Sequence, residues 1–432
     1  MDFLIIIQKF LWFTLGCCGI YGAYLCHTSR NKLATAKLGK ILEGEGLHIS
    51  KNAYTKNHTV IVAPTREGKT TSVFIPNLLE NNLKGSIVIA DPKQELYEKT
   101  HKYQESIGRK TILYNPFDMK IQYNPIKNCK NDREIIEISQ NLLINGALSY
   151  ELQTGKKSGG LEWIQSSQGL FTAAVMLTKN ISKALDLIIS SNPIELDSVL
   201  SNASENIASQ YNIFKTCIES PKTMASIKST LASNLQLFTD KLAINRSDFT
   251  AQQLREQPTA LYVSYPENKS SYLAPLMACI YSQLIEQLTD IKGLSITFLM
   301  DELANIGLIS NFSTILSTVA SRDITFLLCL QSISQLEQIY GHFNTLSILN
   351  NCKTKAVLPS LTDLRTIEYI SKLCGTTEVI IQDKKMTKQL FTPDEVRRIE
   401  KGKILIIEDN MLPFVDEQNI YYEQDKYMEA AD

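Results

Sequence analysis

A short loop near the amino-terminal end of the chain combines glycine, lysine and threonine in a pattern suited to holding phosphate. Its residues are Ala63, Pro64, Thr65, Arg66, Glu67, Gly68, Lys69, Thr70 and Thr71. They match the pattern G-x-x-x-x-G-K-[ST] except at the first position, where Ala63 replaces glycine. The backbone amides of such a loop, together with the amino terminus of the following helix, bind phosphate oxygens. The segment therefore predicts a nucleotide-binding site lined by these residues.

Individual side chains of this loop have specific roles in the prediction. Gly68 permits the tight turn, and Lys69 bridges the β and γ phosphates of ATP. Thr70 places its hydroxyl on Mg²⁺, and Thr71 contacts the α phosphate. A surface loop with a chance Gly-Lys-Thr string is the alternative. The apolar strand predicted over Thr59–Ala63, with a helix directly after the loop, favours nucleotide binding because the motif requires both.

Two acidic residues follow an apolar strand in the second half of the chain. The run Ser295–Met300 is succeeded by Asp301 and Glu302, which is the Walker B arrangement of phosphate-loop ATPases. Asp301 would hold Mg²⁺ through water, and Glu302 would polarise the water that attacks the γ phosphate. The alternative is that Asp301 and Glu302 are solvated acids at the end of an ordinary strand. The phosphate loop upstream favours the catalytic interpretation.

Polar residues end two further predicted strands. Gln331 follows Ile324–Leu330 and would sense the γ phosphate, whereas the alternative is an ordinary cap on the next helix. Asp91 follows Ser86–Ala90, at the carboxyl edge where ligands bind in parallel sheets. It would assist the metal or the water, or it would cap the next helix, where Pro92 fits the first turn. Both roles are open for Asp91.

Short β-branched runs alternate with helical segments and position these motifs. Continuous apolar strands separated by helices predict an α/β fold with a parallel sheet covered on both faces. The predicted strands are Thr59–Ala63, Ser86–Ala90, Thr111–Tyr114, Ala260–Ser264, Ser295–Met300, Ile324–Leu330, Lys355–Leu358 and Ile404–Ile407.

The stretch from Cys129 to Gln257 interrupts this alternation. It contains no convincing strand, and its apolar residues recur at helical spacing, which predicts an all-α insertion. The predicted domains are 1–28 as a membrane anchor, 29–128 and 258–432 as the two parts of a nucleotide-binding domain, and 129–257 as the insertion.

The composition limits the partners and the compartment of the chain. Its 432 residues include 44 Lys and Arg against 45 Asp and Glu, a net charge of −1. This balance excludes a uniformly basic nucleic-acid coat, so contact with phosphate backbones must come from a local patch. The nine cysteines are scattered and never spaced C-x-x-C, which argues against a zinc site and a disulfide framework. A reducing compartment is expected.

The amino-terminal segment is expected to lie in a membrane. Residues Phe10–Cys26 contain no charge, and a run of this length is at the short end of a membrane span. A cleaved signal peptide is the alternative, but the leading region is weakly charged and no clean small-x-small site follows. Basic residues dominate the flank from Arg30 to Lys56. The positive-inside rule therefore places the rest of the chain in the cytoplasm, behind a single-pass anchor.

Several motifs occur in the order found in one known family. They are A-P-T-R-E-G-K-T, D-P-K-Q-E-L-Y, Y-N-P-F-D, L-M-D-E-L-A-N-I-G, C-L-Q-S-I-S-Q-L-E-Q-I-Y-G and F-T-P-D-E-V-R-R, from Ala63 to Arg398. The chain resembles the type IV secretion coupling proteins, which are conjugative DNA-transfer ATPases of the TraG/TraD kind. It departs from their pattern at Ala63, and it has one predicted membrane helix where members commonly have two around a small external domain.

The resemblance implies a RecA-like, Mg²⁺-dependent ATPase anchored in the inner membrane and assembled as a homo-hexamer. Such a motor feeds DNA, which we expect to be single-stranded, a relaxase–DNA complex or an effector protein to a secretion channel. A hexameric motor needs an arginine from the neighbouring subunit, for which Arg322 is the candidate and Arg365 and Arg109 are rivals. A small basic run that would contact DNA in the channel, or form a solvated face, consists of Lys384, Lys385 and Lys388.

Two other functions remain open at the level of sequence. A partitioning or packaging translocase for duplex DNA would share the motor and the anchor, but it would not predict the Leu330–Gly341 pattern. A non-hydrolysing membrane scaffold that recruits a relaxase would keep the nucleotide fold for its shape alone. The scaffold is disfavoured by the joint presence of the residues needed for hydrolysis, which are Lys69, Thr70, Asp301, Glu302 and Gln331.

Overall fold

The computed structural model describes residues 45–156, 160–216, 221–381 and 384–431. The predicted anchor Phe10–Cys26 lies outside the described residues. None of the helices in the described ranges has both the length and the hydropathy needed to cross a membrane.

One large sheet organises the described part of the chain. From one edge to the other its nine strands are β13 (Phe414–Glu417), β12 (Lys403–Glu408), β9 (Thr354–Val357), β3 (Thr59–Val62), β8 (Ile324–Leu330), β7 (Ile296–Met300), β4 (Ser86–Asp91), β6 (Thr259–Ser264) and β5 (Lys110–Tyr114). Each of the eight predicted strands is present within a residue or two. From β9 to β5 all pairs are parallel, as expected. The prediction was incomplete at the other edge, where β12 runs antiparallel to both β9 and β13.

Alternate residues of the strands enter two separate cores, so both faces of the sheet are covered. In β4, Val88 and Ala90 pack into the larger core, whereas Ile87 and Ile89 pack into the smaller one on the opposite face. This is the expected result of a side-chain period of two in a strand that is apolar throughout.

The helices lie on the two faces of the sheet and in the segment between β5 and β6. After the phosphate-loop segment, a π-helical turn (Thr70–Phe74) continues into a short helix. The α-helices are α1 (Ile75–Leu78), α2 (Glu95–Ser106), α3 (Asp132–Thr154), α4 (Gly160–Thr178), α5 (Ile181–Ser190), α6 (Pro193–Ser201), α7 (Glu205–Thr216), α8 (Pro221–Asn234), α9 (Ala251–Glu256), α10 (Ser270–Asp290), α11 (Phe312–Thr318), α12 (Ile333–Asn351), α13 (Leu364–Leu373), α14 (Pro393–Arg397) and α15 (Asp425–Ala431). Gly341 has non-helical backbone angles and kinks α12.

The segment between β5 and β6 is helical, and within its described residues it contains no strand. Its helices α3 to α8 contribute to the same apolar core as one face of the sheet. The segment is thus packed onto the sheet, and the limits 129 and 257 of a separate insertion stay a prediction.

Two hairpins were not expected from the sequence. The strands β1 (Leu47–Ser50) and β2 (Ala53–Thr55) pair with each other, as do β10 (Thr376–Ile381) and β11 (Lys384–Gln389). These strands are short or rich in polar residues, so they lack the continuous apolar runs that identify the strands of the main sheet.

A partly buried polar cluster fixes the helix that follows the phosphate loop. Glu80, just after α1, accepts hydrogen bonds from Nδ1 of His48 at 3.0 Å, from Nζ of Lys426 at 2.7 Å and from the hydroxyl of Tyr427. Burial opposes the Glu80 charge, but these donors outweigh it and lower the pKa of Glu80 to about 2. The cluster therefore ties the carboxyl-terminal helix α15 and the β1–β2 hairpin to α1.

Replacing Glu80 with glutamine should destabilise the protein by about 2 kcal/mol, because hydrogen bonds to a buried charge are lost. Urea unfolding of the purified full chain measures the change, and Glu98→Gln, on the exposed face of α2, is the control.

The stabilisation by Glu80 should depend on pH. A carboxylate whose pKa is lowered in the folded protein stabilises the folded state at pH values above its ordinary pKa of 4.5, and this stabilisation is lost as the pH falls towards 2. The difference between wild type and Glu80→Gln should therefore shrink over that interval. A constant difference would contradict the assignment.

Candidate active site

The segments predicted to bind phosphate and metal and to activate water lie together, at the carboxyl ends of four strands of the sheet. The phosphate loop follows β3, Gln331 follows β8, Asp301 and Glu302 follow β7, and Asp91 ends β4. These four strands are consecutive neighbours in the order β3-β8-β7-β4 and are parallel. Their carboxyl ends therefore meet at the edge where parallel sheets bind ligands.

The phosphate loop is held at both ends and is tightly turned between them. The amide of Ala63 donates to the carbonyl of Leu330 at 2.9 Å, which continues the β3–β8 ladder. Gly68 has a φ of +84° and Arg66 a φ of +69°. The Gly68 carbonyl accepts hydrogen bonds from the amide and hydroxyl of Ser72, both at 2.7 Å, and from the hydroxyl of Thr71 at 3.1 Å. In this arrangement the Thr71 hydroxyl stabilises the turn through its hydrogen bond to Gly68. The side chains of Thr65 and Arg66 are exposed.

Lys69 lies between the two acids that follow β7. Its Nζ atom is 3.1 Å from Oδ1 of Asp301 and 3.8 Å from Oε2 of Glu302. Burial alone would lower the pKa of this ammonium, yet the pKa lies above its ordinary value. The thiol of Cys329 is also near, but burial raises its pKa to about 12, so it is neutral at neutral pH. The two carboxylates are therefore the charges that keep Lys69 protonated.

The oxygen atoms at this edge suit a hard cation. The hydroxyl of Thr70 donates to Oδ2 of Asp301 at 3.3 Å, so the two predicted metal ligands are adjacent. Oδ1 of Asp301 is buried and faces Lys69 without a well-aligned hydrogen bond from any described residue. Mg²⁺ is usually held by one or two carboxylates, substrate phosphates and water. In the described ranges, no cluster of three or more His, Cys, Asp or Glu able to hold a metal occurs.

Glu302 is buried and held by two glutamine amides. Its Oε1 atom accepts from Nε2 of Gln331 at 2.5 Å and from Nε2 of Gln335 at 3.4 Å. Burial raises the pKa of Glu302, although Lys69 and Gln335 act in the opposite direction. A raised pKa suits a residue that accepts a proton during turnover. Gln331 thus reaches Glu302, as well as lying at the edge where the predicted phosphate sensor belongs.

Asp91 contacts the helix that follows it. Its Oδ2 atom accepts from the amide of Tyr97 in the first turn of α2 at 2.8 Å. Burial raises the pKa of Asp91 to about 6, against these hydrogen bonds. The predicted N-cap position of Asp91 is wrong, because the N-cap residue of α2 is Gln94 and Pro92 lies before the helix, although the Asp91 carboxylate does accept from a first-turn amide. A role of Asp91 at the metal or the water stays a prediction.

The predicted arginines occupy three different environments. Arg109 is buried, and its guanidinium donates to the carbonyls of Leu83 and Gly85. The prediction that Arg109 could reach a neighbouring subunit is wrong, because its side chain is buried and its N–H groups donate to these two backbone carbonyls. Arg365 is exposed and bonded to Glu337 at 2.7 Å.

Arg322 lies at the opposite edge of the sheet from the phosphate loop. It is exposed and lies two residues before the start of the 7-residue strand β8, whereas the loop lies at the carboxyl ends of the strands. At about 3.3 Å per residue the strand separates the two by roughly 20 Å. Arg322 is therefore too far to act on the site of its own subunit.

Two residues near the site were not identified from the sequence. Gln335 lies four residues after Gln331, at the start of α12, and this spacing is the feature of the sequence that could have identified it. Gln418 follows β13, and its Oε1 would lie 3.2 Å from a Cβ atom built on Gly68. No sequence signal connects Gln418 to the loop, since some 350 residues separate them.

The comparison with known families agrees with this geometry. The family model described as type IV secretory system conjugative DNA transfer matches residues 26–432. The chain belongs to this family. The resemblance drawn from the sequence motifs is therefore confirmed.

Two kinds of relatives have similar sequences. The VirD4 protein of Rhizobium radiobacter is 29% identical over 339 residues, which cover 74% of this chain and 48% of the relative. A conjugal transfer protein TraG of Escherichia coli is 24% identical over 410 residues, covering 80% of this chain and 62% of the relative. The chain thus spans about half the length of the VirD4 relative and three-fifths of the TraG relative.

Solved structures of this family's fold are also similar. The plasmid coupling protein TrwB, in complex with ADP and Mg²⁺, has a TM-score of 0.69 and 18% identity, and the match covers 90% of this chain and 92% of TrwB. VirB4 of Thermoanaerobacter pseudethanolicus has a TM-score of 0.54 and 11% identity, with 90% and 100% of the two chains covered. The expected α/β RecA-like fold is therefore confirmed.

Gly68→Ala should abolish nucleotide binding. An alanine Cβ would lie 3.2 Å from Oε1 of Gln418 and 3.4 Å from Oγ1 of Thr71, and a φ of +84° disfavours any side chain. Binding of a fluorescent ATP derivative to the full chain measures the effect. Gly108→Ala is the matched control, because Gly108 has a φ of +88° with no atom near the added methyl group. Equal binding by Gly68→Ala and Gly108→Ala would contradict the proposed role of the loop.

Proposed function

We propose that this protein is an ATP-hydrolysing coupling protein that drives DNA or a relaxase–DNA complex into a type IV secretion channel. The observation that carries the proposal is the position of Lys69 at the carboxyl edge of the sheet, with its ammonium 3.1 Å from Asp301 and 3.8 Å from Glu302. Membership of the conjugative DNA transfer family supports the cargo and the channel. The chain would act from the inner membrane, as a homo-hexamer on single-stranded DNA.

The chemistry follows from the residues that this edge brings together. The amides of the phosphate loop and the Lys69 ammonium bind the phosphates of ATP, and the oxygens of Thr70 and Asp301 hold Mg²⁺. Mg²⁺, when bound, neutralises phosphate charge and orients the γ phosphate. Glu302 accepts a proton from the attacking water, and Gln331 connects Glu302 to the end of β8. TrwB structures with ADP and Mg²⁺ and with the ATP analogue ADPNP support both ligands.

The remaining parts of the proposal concern DNA and cargo. The helices between β5 and β6 would select the substrate, since their Ser- and Asn-rich composition suits protein recognition. The basic run of Lys384, Lys385 and Lys388, on strand β11, would contact DNA. Lys388 lies 3.8 Å from Glu395 in the structure.

Glu302→Gln should lower ATP turnover at least 100-fold and leave ATP binding intact, because the amide cannot accept the proton. Turnover of the full chain is measured with and without single-stranded DNA, and the mass of the assembly is recorded in the same sample. DNA-stimulated turnover that is lost in Glu302→Gln supports the motor. Binding without turnover, in an assembled and DNA-bound sample, would instead favour a non-hydrolysing scaffold. Stimulation by duplex DNA alone would favour a partitioning translocase.

Arg322→Ala should lower turnover about 100-fold with ATP binding unchanged, because a neighbouring subunit would lack the charge that stabilises the transition state. Mixing Arg322→Ala with Glu302→Gln subunits should restore part of the turnover, since some interfaces then combine an intact Glu302 with an intact Arg322. Arg133→Ala, an exposed arginine on α3, is the control. Mixtures that stay inactive would exclude Arg322.

A further inference from the structure

Gln335 lies beside the proposed catalytic base and has no assigned role. Its Nε2 atom is 3.4 Å from Oε1 of Glu302, the oxygen that also accepts from Gln331. Two amides therefore converge on one carboxylate oxygen. The other oxygen, Oε2, faces the Lys69 ammonium at 3.8 Å. The carboxylate is thus fixed with Oε2 directed towards the phosphate-binding side.

The backbone of Glu302 explains why the side chain needs support. Its φ of +93° and ψ of +77° are rare for a residue with a side chain, and such conformations persist only where the surroundings enforce them. The amide of Glu302 donates to the carbonyl of Met300 at 3.0 Å, closing a tight turn. This turn directs the side chain, and Gln331 and Gln335 hold its end.

Gln335 is itself held rigidly. The hydroxyl of Ser332 caps α12 by accepting from the amide of Gln335 at 3.1 Å. The amide of Ile333 donates to Thr366 on α13 at 2.9 Å, and Ser334 donates to Asp363 at 2.9 Å. The first turn of α12 is therefore fixed to α13, and a side chain on a fixed turn can position another precisely enough for chemistry.

The side-chain amide oxygen of Gln335, Oε1, is buried and has no hydrogen-bond partner among the described residues. A buried acceptor of this kind is normally satisfied by a protein donor or by water. It belongs to the same amide group that contacts Glu302, so it lies next to the carboxylate that would accept a proton from the attacking water. Such a water would donate one proton to Glu302 and the other to Gln335.

We propose that Gln335 positions Glu302 and orients the water that Glu302 activates. This inference rests on the proposed ATP hydrolysis. The water oxygen forms a bond to the γ phosphorus, and the bond from the γ phosphorus to the bridging oxygen breaks, its electron pair staying on ADP. One proton of the water passes to Oε2 of Glu302 and then to the released phosphate. The other proton stays on the attacking oxygen, donated to Oε1 of Gln335.

The test compares Gln335→Ala with Gln338→Ala in the full chain. Gln338 is the same residue type one turn along α12, and it is exposed. Gln335→Ala should lower kcat at least tenfold with the KM for ATP within twofold, and Gln338→Ala should match wild type. Unchanged kcat in Gln335→Ala would overturn the inference.

The wild type distinguishes the two levels of the proposal. If the assembled wild type does not hydrolyse ATP, the proposed function fails and this inference with it. If the wild type hydrolyses ATP and Glu302→Gln does not, while Gln335→Ala behaves as Gln338→Ala, only the inference about Gln335 fails.

Discussion

The ammonium of Lys69 is largely removed from water, and such a charge is tolerated only when opposite charges compensate it. Asp301 and Glu302 provide that compensation, although more than 230 residues separate them from the phosphate loop along the chain. The parallel sheet makes the contact possible, because it places the carboxyl ends of β3, β8, β7 and β4 side by side. Everything else at the site depends on this register. A one-residue slip of β7 against β8 would turn the side chains of its strand to the opposite face.

The structure around this edge keeps the loop and the base in place by different means. On one side, the Glu80 cluster joins α1 to the carboxyl-terminal helix and to the β1–β2 hairpin, so residues distant in sequence stabilise the helix after the phosphate loop. On the other side, the capped first turn of α12 carries the amides that reach Glu302. The helix after the loop is therefore fixed by hydrogen bonds to the Glu80 carboxylate, and the base by hydrogen bonds from two amides. Both are short-range effects, so they are sensitive to single substitutions.

The sequence was sufficient to predict the parts of the fold that local pattern determines. The parallel strands are continuous apolar runs, and each predicted site segment directly follows one of them, so the shared edge could be expected before the structure was known. Pairing between distant segments could not be expected. The antiparallel strands β12 and β13 and the approach of Gln418 to Gly68 depend on how the chain returns to the sheet edge. Arg109 was misjudged because its exposure depends on packing, and the predicted anchor lies outside the described residues.

The central claim is that Asp301 holds Mg²⁺ next to phosphates bound by Lys69. Calorimetric titration of ATP into the full chain, with and without Mg²⁺, tests it most directly. Asp301→Asn is compared with Asp323→Asn, in which an amide replaces an exposed carboxylate at the far edge of the sheet. We predict that Mg²⁺ strengthens ATP binding by the wild type and by Asp323→Asn about tenfold or more, and has little effect on binding by Asp301→Asn. An equal effect of Mg²⁺ on all three proteins would contradict the account.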